Sequence, residues 1–128
     1  MKLKITTPDN ILLETTVKSI NISEKTGSFT ILPNHAPFLS SIESSFVVVT
    51  DEDGTTTYVN INSGILKVLK NTVVLIIDYG AMGITREEAF AKFEELQDSI
   101  MNRDKDSNDM VGKIELELAR RVKEMSSY

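Results

Sequence analysis

The hydrophobic period of the chain changes near Gly83, and this change restricts the fold more than any other feature. Before Gly83, apolar and polar residues alternate, as around Ile20 and Ile22, which is typical of strands with one buried face. Residues 46–49 and 73–77 are apolar throughout and predict strands covered on both faces. Turn signals such as Asp53-Gly54 separate about eight to ten short strands, a pattern that predicts an antiparallel β-sandwich or a barrel.

After Gly83 the apolar residues recur at helical spacing and form two stripes. The first stripe contains Ala89, Phe93, Leu96 and Ile100, and the second contains Met110, Ile114, Leu118, Val122 and Met125. Thr85 is placed to cap the first helix, and the polar residues 102–108 predict a loop between the helices. The sequence therefore predicts an α+β chain, with a β-sandwich domain at residues 1–83 and an antiparallel two-helix hairpin at residues 84–128.

The composition excludes several classes of function. The chain of 128 residues carries 14 basic and 19 acidic side chains, and this acidic balance disfavours nucleic-acid binding, which requires a basic surface. It has no cysteine and one histidine, which excludes disulfides, thiolate metal sites and multi-histidine metal sites. No apolar run approaches the length of a membrane span, and no phosphate-binding glycine motif is present. We expect a soluble chain without cofactor or metal and without direct membrane insertion.

Two patterns have a catalytic or metal-binding interpretation, and the sequence favours a structural one for both. His35 could serve as a base for a nearby serine, but no nucleophile motif supports this, and the flanking prolines indicate a loop histidine. Asp104, Asp106 and Asn108 have the spacing of a calcium-binding loop but lack its glycine and its final glutamate. They are interpreted as part of a solvated loop between the two helices.

A small basic cluster, Arg120, Arg121 and Lys123, stands out at the end of the second predicted helix. Cations there compensate the helix dipole, and Glu117 is spaced to pair with Arg121. A second interpretation is a contact with an acidic surface of a partner, and the two interpretations are compatible.

A proline-rich segment carries a family resemblance. Residues 31–39 read Ile-Leu-Pro-Asn-His-Ala-Pro-Phe-Leu, and their prolines predict a rigid loop that exposes backbone groups to a partner. With Gly27 before it, this segment resembles the ILP-x-HAP pattern of the ε subunit of F-type ATP synthases, whose mitochondrial counterpart is called δ. Residues 62–68 resemble the SGG-x-L-x-V strand of the same family, with Ile65 at the second glycine. The resemblance covers the whole chain.

The resemblance implies a non-catalytic rotor subunit in the central stalk of a proton- or sodium-transporting ATP synthase. In the family, the sandwich docks on the γ subunit and on the membrane ring of c subunits near the HAP motif. The residues expected at this interface are Leu32, Pro33, Asn34, His35, Ala36, Pro37, Phe38 and Leu39. Ser28 stands where the family often has an acid that approaches the c ring, which puts that charge contact in doubt. The implied location is the cytoplasmic face of the bacterial plasma membrane, as a peripheral part of the complex.

The resemblance also implies a regulatory role for the helical hairpin. In bacterial members the hairpin lies against the sandwich or extends along γ towards the α3β3 head, where it inhibits ATP hydrolysis. Basic residues of the second helix then face acidic residues of β, and Arg120, Arg121 and Lys123 are their counterparts here. We expect the compact form in the isolated chain, because an extended hairpin would expose both apolar stripes.

Some family members also bind ATP through an I/L-D-x-x-R-A motif at the start of the first helix. The corresponding residues 84–89 have Thr85 at the Asp position and Glu88 at the Arg position. A carboxylate repels phosphate where a guanidinium would pair with it, so no ATP binding is expected.

Two functions of other classes remain as alternatives. The first is a free-standing β-sandwich adaptor that homodimerises through its helices. The second is a small hydrolase that uses His35 as a base.

Overall fold

The computed structural model describes the backbone of residues 1–110 and the side chains of residues 1–102. The strands in this part of the chain are β1 (Lys2–Thr6), β2 (Ile11–Glu24), β3 (Gly27–Ile31), β4 (Phe38–Asp51), β5 (Thr56–Val68), β6 (Thr72–Ile77) and β7 (Gly80–Gly83). They are followed by a helix, α1 (Arg86–Met110). The second predicted helix, with Arg120, Arg121 and Lys123, lies outside the described residues.

The strands form one barrel-like sheet of seven strands in the order β1-β6-β5-β4-β2-β3, with β7 paired to β5. β1 also pairs with β2, which closes the sheet on itself. The predicted β-sandwich is therefore right in outline, but the predicted count of about eight to ten strands is wrong. The all-antiparallel prediction is also wrong, because β1 and β6 run parallel.

The strand count was too high because three strands are long enough to be read as several. β2 and β4 have 14 residues each, and β5 has 13. In β4 every second side chain up to Ile42 points inward. Glu43 and Ser44 are both exposed, and from Ser45 onward the inward positions are shifted by one residue. Ser44 has a φ of 43°, the left-handed value at which one strand can change its inward side. A single long strand thereby contributes to both halves of the barrel.

The core inside the sheet is a cluster of apolar side chains, and Ser45 and Asn60 are buried as well. Its buried members are Leu3, Ile5, Val17, Ile20, Ile22, Ile31, Ile42, Val47, Val49, Val59, Ile61, Leu66, Val68, Val73, Leu75 and Ile77. The prediction that residues 73–77 are covered on both faces is wrong, because Ile76 is 49% exposed on the outside of β6. In residues 46–49 the side chains likewise alternate between buried and half-buried. The outward-facing side chains of both apolar runs are therefore only partly covered.

Helix α1 begins as predicted. The Oγ1 of Thr85 accepts a hydrogen bond of 3.1 Å from the backbone N–H of Glu88, which makes Thr85 the N-cap. The carboxylate of Glu88 in turn accepts a 3.1 Å bond from the N–H of Ile84. Two donors that would otherwise lack partners at the helix start are thus satisfied by reciprocal bonds.

The predicted loop at residues 102–108 is wrong, because α1 continues without a break to Met110. This segment contains no glycine or proline, and its polar residues lower helix propensity without forbidding a helix. Asp104, Asp106 and Asn108 therefore lie on a helix rather than in the calcium-loop conformation.

The chain divides into two compact units, Met1–Glu94 and Glu95–Tyr128. The first unit, Met1–Glu94, contains all the strands described above and the start of α1.

Candidate protein interface

The proline loop, residues 32–37, joins β3 to β4 through a tight turn. The N–H of His35 donates a 3.2 Å hydrogen bond to the carbonyl of Leu32, with Pro33 and Asn34 at the two central positions. Asn34 has a φ of 66°, which suits the third position of a type II turn and is tolerated by asparagine. The predicted turn is present, and Pro33 with Asn34 accounts for its shape.

The proline loop is held against the rest of the sheet on two sides. The N–H of Asn34 donates a 3.1 Å bond to the carbonyl of Lys70, in the turn between β5 and β6. The ring of His35 lies edge-on to Phe38 at 5.2 Å, and Phe38 lies edge-on to Phe29 at 6.3 Å. These contacts keep the half-buried aromatic rings beneath the loop and fix the position of its exposed residues.

The eight predicted interface residues fall into an exposed group and a supporting group. His35 and Phe38 are half-buried and form the support. The exposed residues are Leu32, Pro33, Asn34, Ala36, Pro37 and Leu39. Leu32 is 54% exposed and Leu39 is 70% exposed, which is costly in water unless a partner covers them.

A second apolar surface continues from Leu39 across the outside of the sheet. Leu39 lies opposite Lys67, Lys67 opposite Val74, and Ile65 opposite Ile76 on neighbouring strands. Ile65 and Ile76 are each 49% exposed. We call this surface the open sheet face; its members are Lys4, Leu39, Ile65, Lys67, Val74 and Ile76.

Positive charge borders the open sheet face on the side of β1. Lys4 lies opposite Val74 on one side and Glu14 on the other. Lys2 and Lys4 also line a shallow groove of about 350 Å³, together with Glu14 and Thr16 of β2 and Thr72 of β6. Sequence reasoning missed this surface because the apolar run of β6 was expected to be covered. The lysines alternating in β1 were the signal that its outer face meets water.

A hydrogen-bond network around Asp78 lies just after the end of β6, where the chain turns into β7. The carboxylate of Asp78 accepts hydrogen bonds from the side-chain amide of Asn62 at 2.6 Å, the N–H of Ser63 at 3.0 Å and the N–H of Tyr79 at 2.7 Å. Partial burial acts to raise the pKa of Asp78, but these bonds outweigh it and hold the pKa below its ordinary value. The ionised carboxylate thus ties β5 to the β6–β7 corner.

The predicted hairpin at Asp53-Gly54 is confirmed. Two aspartate carboxylates accept hydrogen bonds within its turn. The N–H of Thr55 donates to the carboxylates of Asp51 at 2.9 Å and of Asp53 at 3.0 Å. The hydrogen bond between the two carboxyls raises the pKa of Asp51 and lowers that of Asp53 to about 2. Gly54 supplies the positive φ, 93°, that the turn requires.

No catalytic arrangement is assembled around His35 in the described part of the chain. Its Nδ1 lies 2.8 Å from the carbonyl oxygen of Ala36, and the hydroxyl of Ser40 donates to the carbonyl of Ser41 at 3.2 Å. Within residues 1–102, no group of three or more His, Cys, Asp or Glu side chains is placed to hold a metal ion. Among the described residues, no helix is both long and apolar enough to cross a membrane.

Glu88 stands at the arginine position of the ATP-binding motif, and its carboxylate has two bonding partners within the chain. Its carboxylate lies 2.9 Å from the ammonium of Lys92 and accepts the bond from Ile84. The bond to Lys92, then that from Ile84, lowers the pKa of Glu88 and favours its negative form. The absence of ATP binding stays a prediction.

The fold and this surface define a barrel-like β-sandwich domain that presents a rigid proline loop and an open apolar face, followed by a helix. Residues 1–84 match the family model described as "ATP synthase, Delta/Epsilon chain, beta-sandwich domain". Since this match covers more than half of the chain, the chain belongs to the ATP synthase delta/epsilon chain family.

Relatives with curated names confirm the family predicted from the proline loop. A protein of Aliarcobacter butzleri named ATP synthase epsilon chain is 32% identical over 120 residues, which are 92% of this chain and 94% of the relative. A protein of the same name from Sulfurovum sp. is 34% identical over 89 residues, covering 70% of this chain and 69% of the relative.

Solved structures share the fold at lower identity. A chain of the Euglena gracilis mitochondrial ATP synthase has a TM-score of 0.58 and 21% identity, and the match covers 62% of this chain and 51% of that one. A chain from the central stalk and c ring of the Tetrahymena thermophila mitochondrial ATP synthase has a TM-score of 0.52 and 14% identity, covering 62% and 64%. This chain thus spans about half of the Euglena chain.

Proposed function

We propose that this chain is the ε subunit in the central stalk of an F-type ATP synthase, where it has no catalytic role and connects the γ subunit to the ring of c subunits. The observation that carries the proposal is the rigid proline loop beside the open sheet face. A loop with an exposed leucine beside an uncovered apolar face suits a permanent contact within a larger assembly. The family membership and the central-stalk setting named for the Tetrahymena structure support it.

The proposed contact consists of two parts of one surface. The proline loop supplies Leu32, and the open sheet face supplies Leu39, Ile65 and Ile76. The bordering lysines favour a partner with acidic residues beside its apolar ones. With Ser28 in place of an acid, the contact with the c ring does not use a carboxylate at that position.

In this proposal the chain is peripheral to the membrane and works on the cytoplasmic face of the bacterial plasma membrane. The C-terminal segment inhibits ATP hydrolysis in an extended state, through contacts of Arg120, Arg121 and Lys123 with the β subunit. Replacing these three residues with alanine tests the regulatory part. We expect the variant to bind γ like the wild type and to inhibit the ATPase activity of an α3β3γ assembly less strongly. Equal inhibition by both chains would contradict the regulatory role.

Co-elution with the γ subunit of the same ATP synthase tests the central part of the proposal. The full-length chain and γ are mixed and run on a sizing column, with each protein alone as the control. We expect a single peak that contains both proteins in equal amounts. A homodimer of this chain that leaves γ in a separate peak would contradict the proposal and favour the adaptor that dimerises through its helices.

A further inference from the structure

Asp53-Gly54 is the only step in the sequence at which glycine follows aspartate or asparagine. It lies in the turn between β4 and β5, and both residues are exposed. Glycine has no side chain to shield its backbone nitrogen, so an aspartyl carboxyl that precedes glycine is unusually open to attack by that nitrogen. The sequence therefore contains one position at which spontaneous isomerisation of an aspartate is to be expected.

The isomerisation of an aspartate takes two steps and needs only water. The nitrogen of Gly54 would bond to Cγ of the protonated Asp53 carboxyl, while the amide hydrogen and the carboxyl OH leave together as water. Water would then open the resulting succinimide ring at one of its two carbonyls. Opening at Cγ restores aspartate, whereas opening at the backbone carbonyl gives isoaspartate, in which the main chain runs through Cβ and Cγ. One water is lost and one is gained, so the mass of the chain is unchanged.

The folded turn holds the attacking nitrogen. The N–H of Gly54 donates a 3.1 Å hydrogen bond to the carbonyl of Asp51, so the hydrogen that must leave is already bound. The N–H of Asp51 donates a 3.0 Å bond to the carbonyl of Thr55. These two bonds close the main chain around Asp53 and restrict the rotation that would bring the Gly54 nitrogen to Cγ.

The carboxyl that would be attacked is held as well. Its Oδ1 accepts a 3.0 Å bond from the N–H of Thr55, the residue beyond Gly54. The hydrogen bond between the carboxyls of Asp51 and Asp53 lowers the pKa of Asp53 to about 2. An ionised carboxylate has to gain a proton before its OH can leave, so the turn keeps Asp53 in the less reactive form.

We infer that Asp53 is a latent isomerisation site, which the closed turn between β4 and β5 blocks and which reacts when this turn opens. Isoaspartate adds one carbon to the main chain, so the backbone bonds that Asp51 makes with Gly54 and Thr55 could not both re-form. The last residue pair of the two strands, Thr50 opposite Thr56, lies next to the turn, and the modification would loosen that end of the hairpin. The inference goes beyond the proposed function and does not depend on it.

Incubation of the full chain at neutral pH, folded in buffer and unfolded in guanidinium chloride, tests the inference. Peptide mapping with fragmentation in the mass spectrometer locates isoaspartate at residue 53, which the intact mass would not reveal. Isoaspartate is expected to form at this residue at least about tenfold faster in the unfolded chain. Equal rates would show that the turn does not block the reaction, and no isoaspartate in either sample would show that Asp53 is not a site; either result overturns the inference.

Asp51→Ala and Glu52→Ala form a matched pair of variants within the turn. Asp51→Ala removes the carboxyl that lowers the pKa of Asp53 and bonds the N–H of Thr55, whereas Glu52 is exposed beside it. In the folded chain, Asp51→Ala is expected to speed isomerisation at residue 53 about threefold or more, and Glu52→Ala by less than about twofold. In guanidinium chloride both variants should react at the wild-type rate, because the turn is absent there. Equal effects of the two substitutions in the folded chain would contradict the protective role of the turn.

Discussion

At the scale of single residues, two polar side chains determine the geometry of the proposed interface. Asp78 fixes the corner between β6 and β7, next to Ile76 of the open sheet face in the chain, through its hydrogen bonds to Asn62, Ser63 and Tyr79. Asn34 adopts the left-handed backbone conformation that shapes the proline loop. Both residues act through the conformation of their neighbours.

Asp78→Asn is expected to lower the free energy of unfolding at neutral pH by about 1 kcal/mol, a modest value because the carboxylate is partly solvated. The folded-state pKa of Asp78 is below its ordinary value, so its contribution is present above the ordinary carboxyl pKa and is lost as pH falls through the folded-state pKa. Urea unfolding as a function of pH should show the difference between wild type and variant shrinking in acid. A constant difference, or an equal loss in the exposed control Asp9→Asn, would contradict this role.

Asn34→Gly should leave stability nearly unchanged, whereas Asn34→Val should reduce it by about 1–2 kcal/mol. The reason is that φ is 66° at this position, a value open to glycine and strained for a β-branched residue. Thermal unfolding of the two variants measures the comparison. Equal stability of the two variants would show that the left-handed conformation is not required there.

At the scale of elements, the sequence predicts local features better than pairings. The cap at Thr85, the turn around Pro33 and the Asp53-Gly54 hairpin were predictable because each depends on residues adjacent in the chain. The phase change at Ser44 was not, since serine carries no preference for a left-handed conformation.

The pairing of distant strands and the full length of α1 could not be predicted from the sequence pattern either. The parallel pairing of β1 with β6 joins strands about half the chain apart, and no local signal specifies it. Helix α1 continues through residues 102–108 because no glycine or proline stops it there. The lack of a helix breaker predicts a helix less strongly than its presence predicts an end. In the candidate interface, the proline loop was predicted, whereas the open sheet face appeared only with the strand pairings.

The pairing of β5 with β6 depends on a glycine at the position shared with the family's Ser-Gly motif. A methyl group added at Gly64 would lie 2.5 Å from the carbonyl oxygen of Ile76, a backbone atom of the sheet. Gly64→Ala is therefore expected to destabilise the chain by about 2 kcal/mol or more. Urea unfolding measures it, with Ser41→Ala on the outer face of β4 as the control. If Gly64→Ala lowered the free energy of unfolding by no more than Ser41→Ala, the close approach would be contradicted.

At the scale of the whole molecule, an acidic chain presents a lysine-bordered apolar surface. The net charge is −5, yet Lys4 and Lys67 lie on the open sheet face. A surface that differs in charge from the rest of the molecule favours one orientation of docking. The proline loop and the open sheet face therefore form the surface that is available to a partner.

The central claim is that the chain binds γ through the proposed contact, of which the open sheet face is a part, and two exposed isoleucines test it most directly. Ile76 lies on this face, whereas Ile84 is 77% exposed at the start of α1, outside it. Calorimetric titration of γ with Ile76→Glu is expected to show affinity weakened at least about tenfold, and titration with Ile84→Glu an affinity within about twofold of wild type. Wild-type affinity in Ile76→Glu, or equal losses in both variants, would contradict the account.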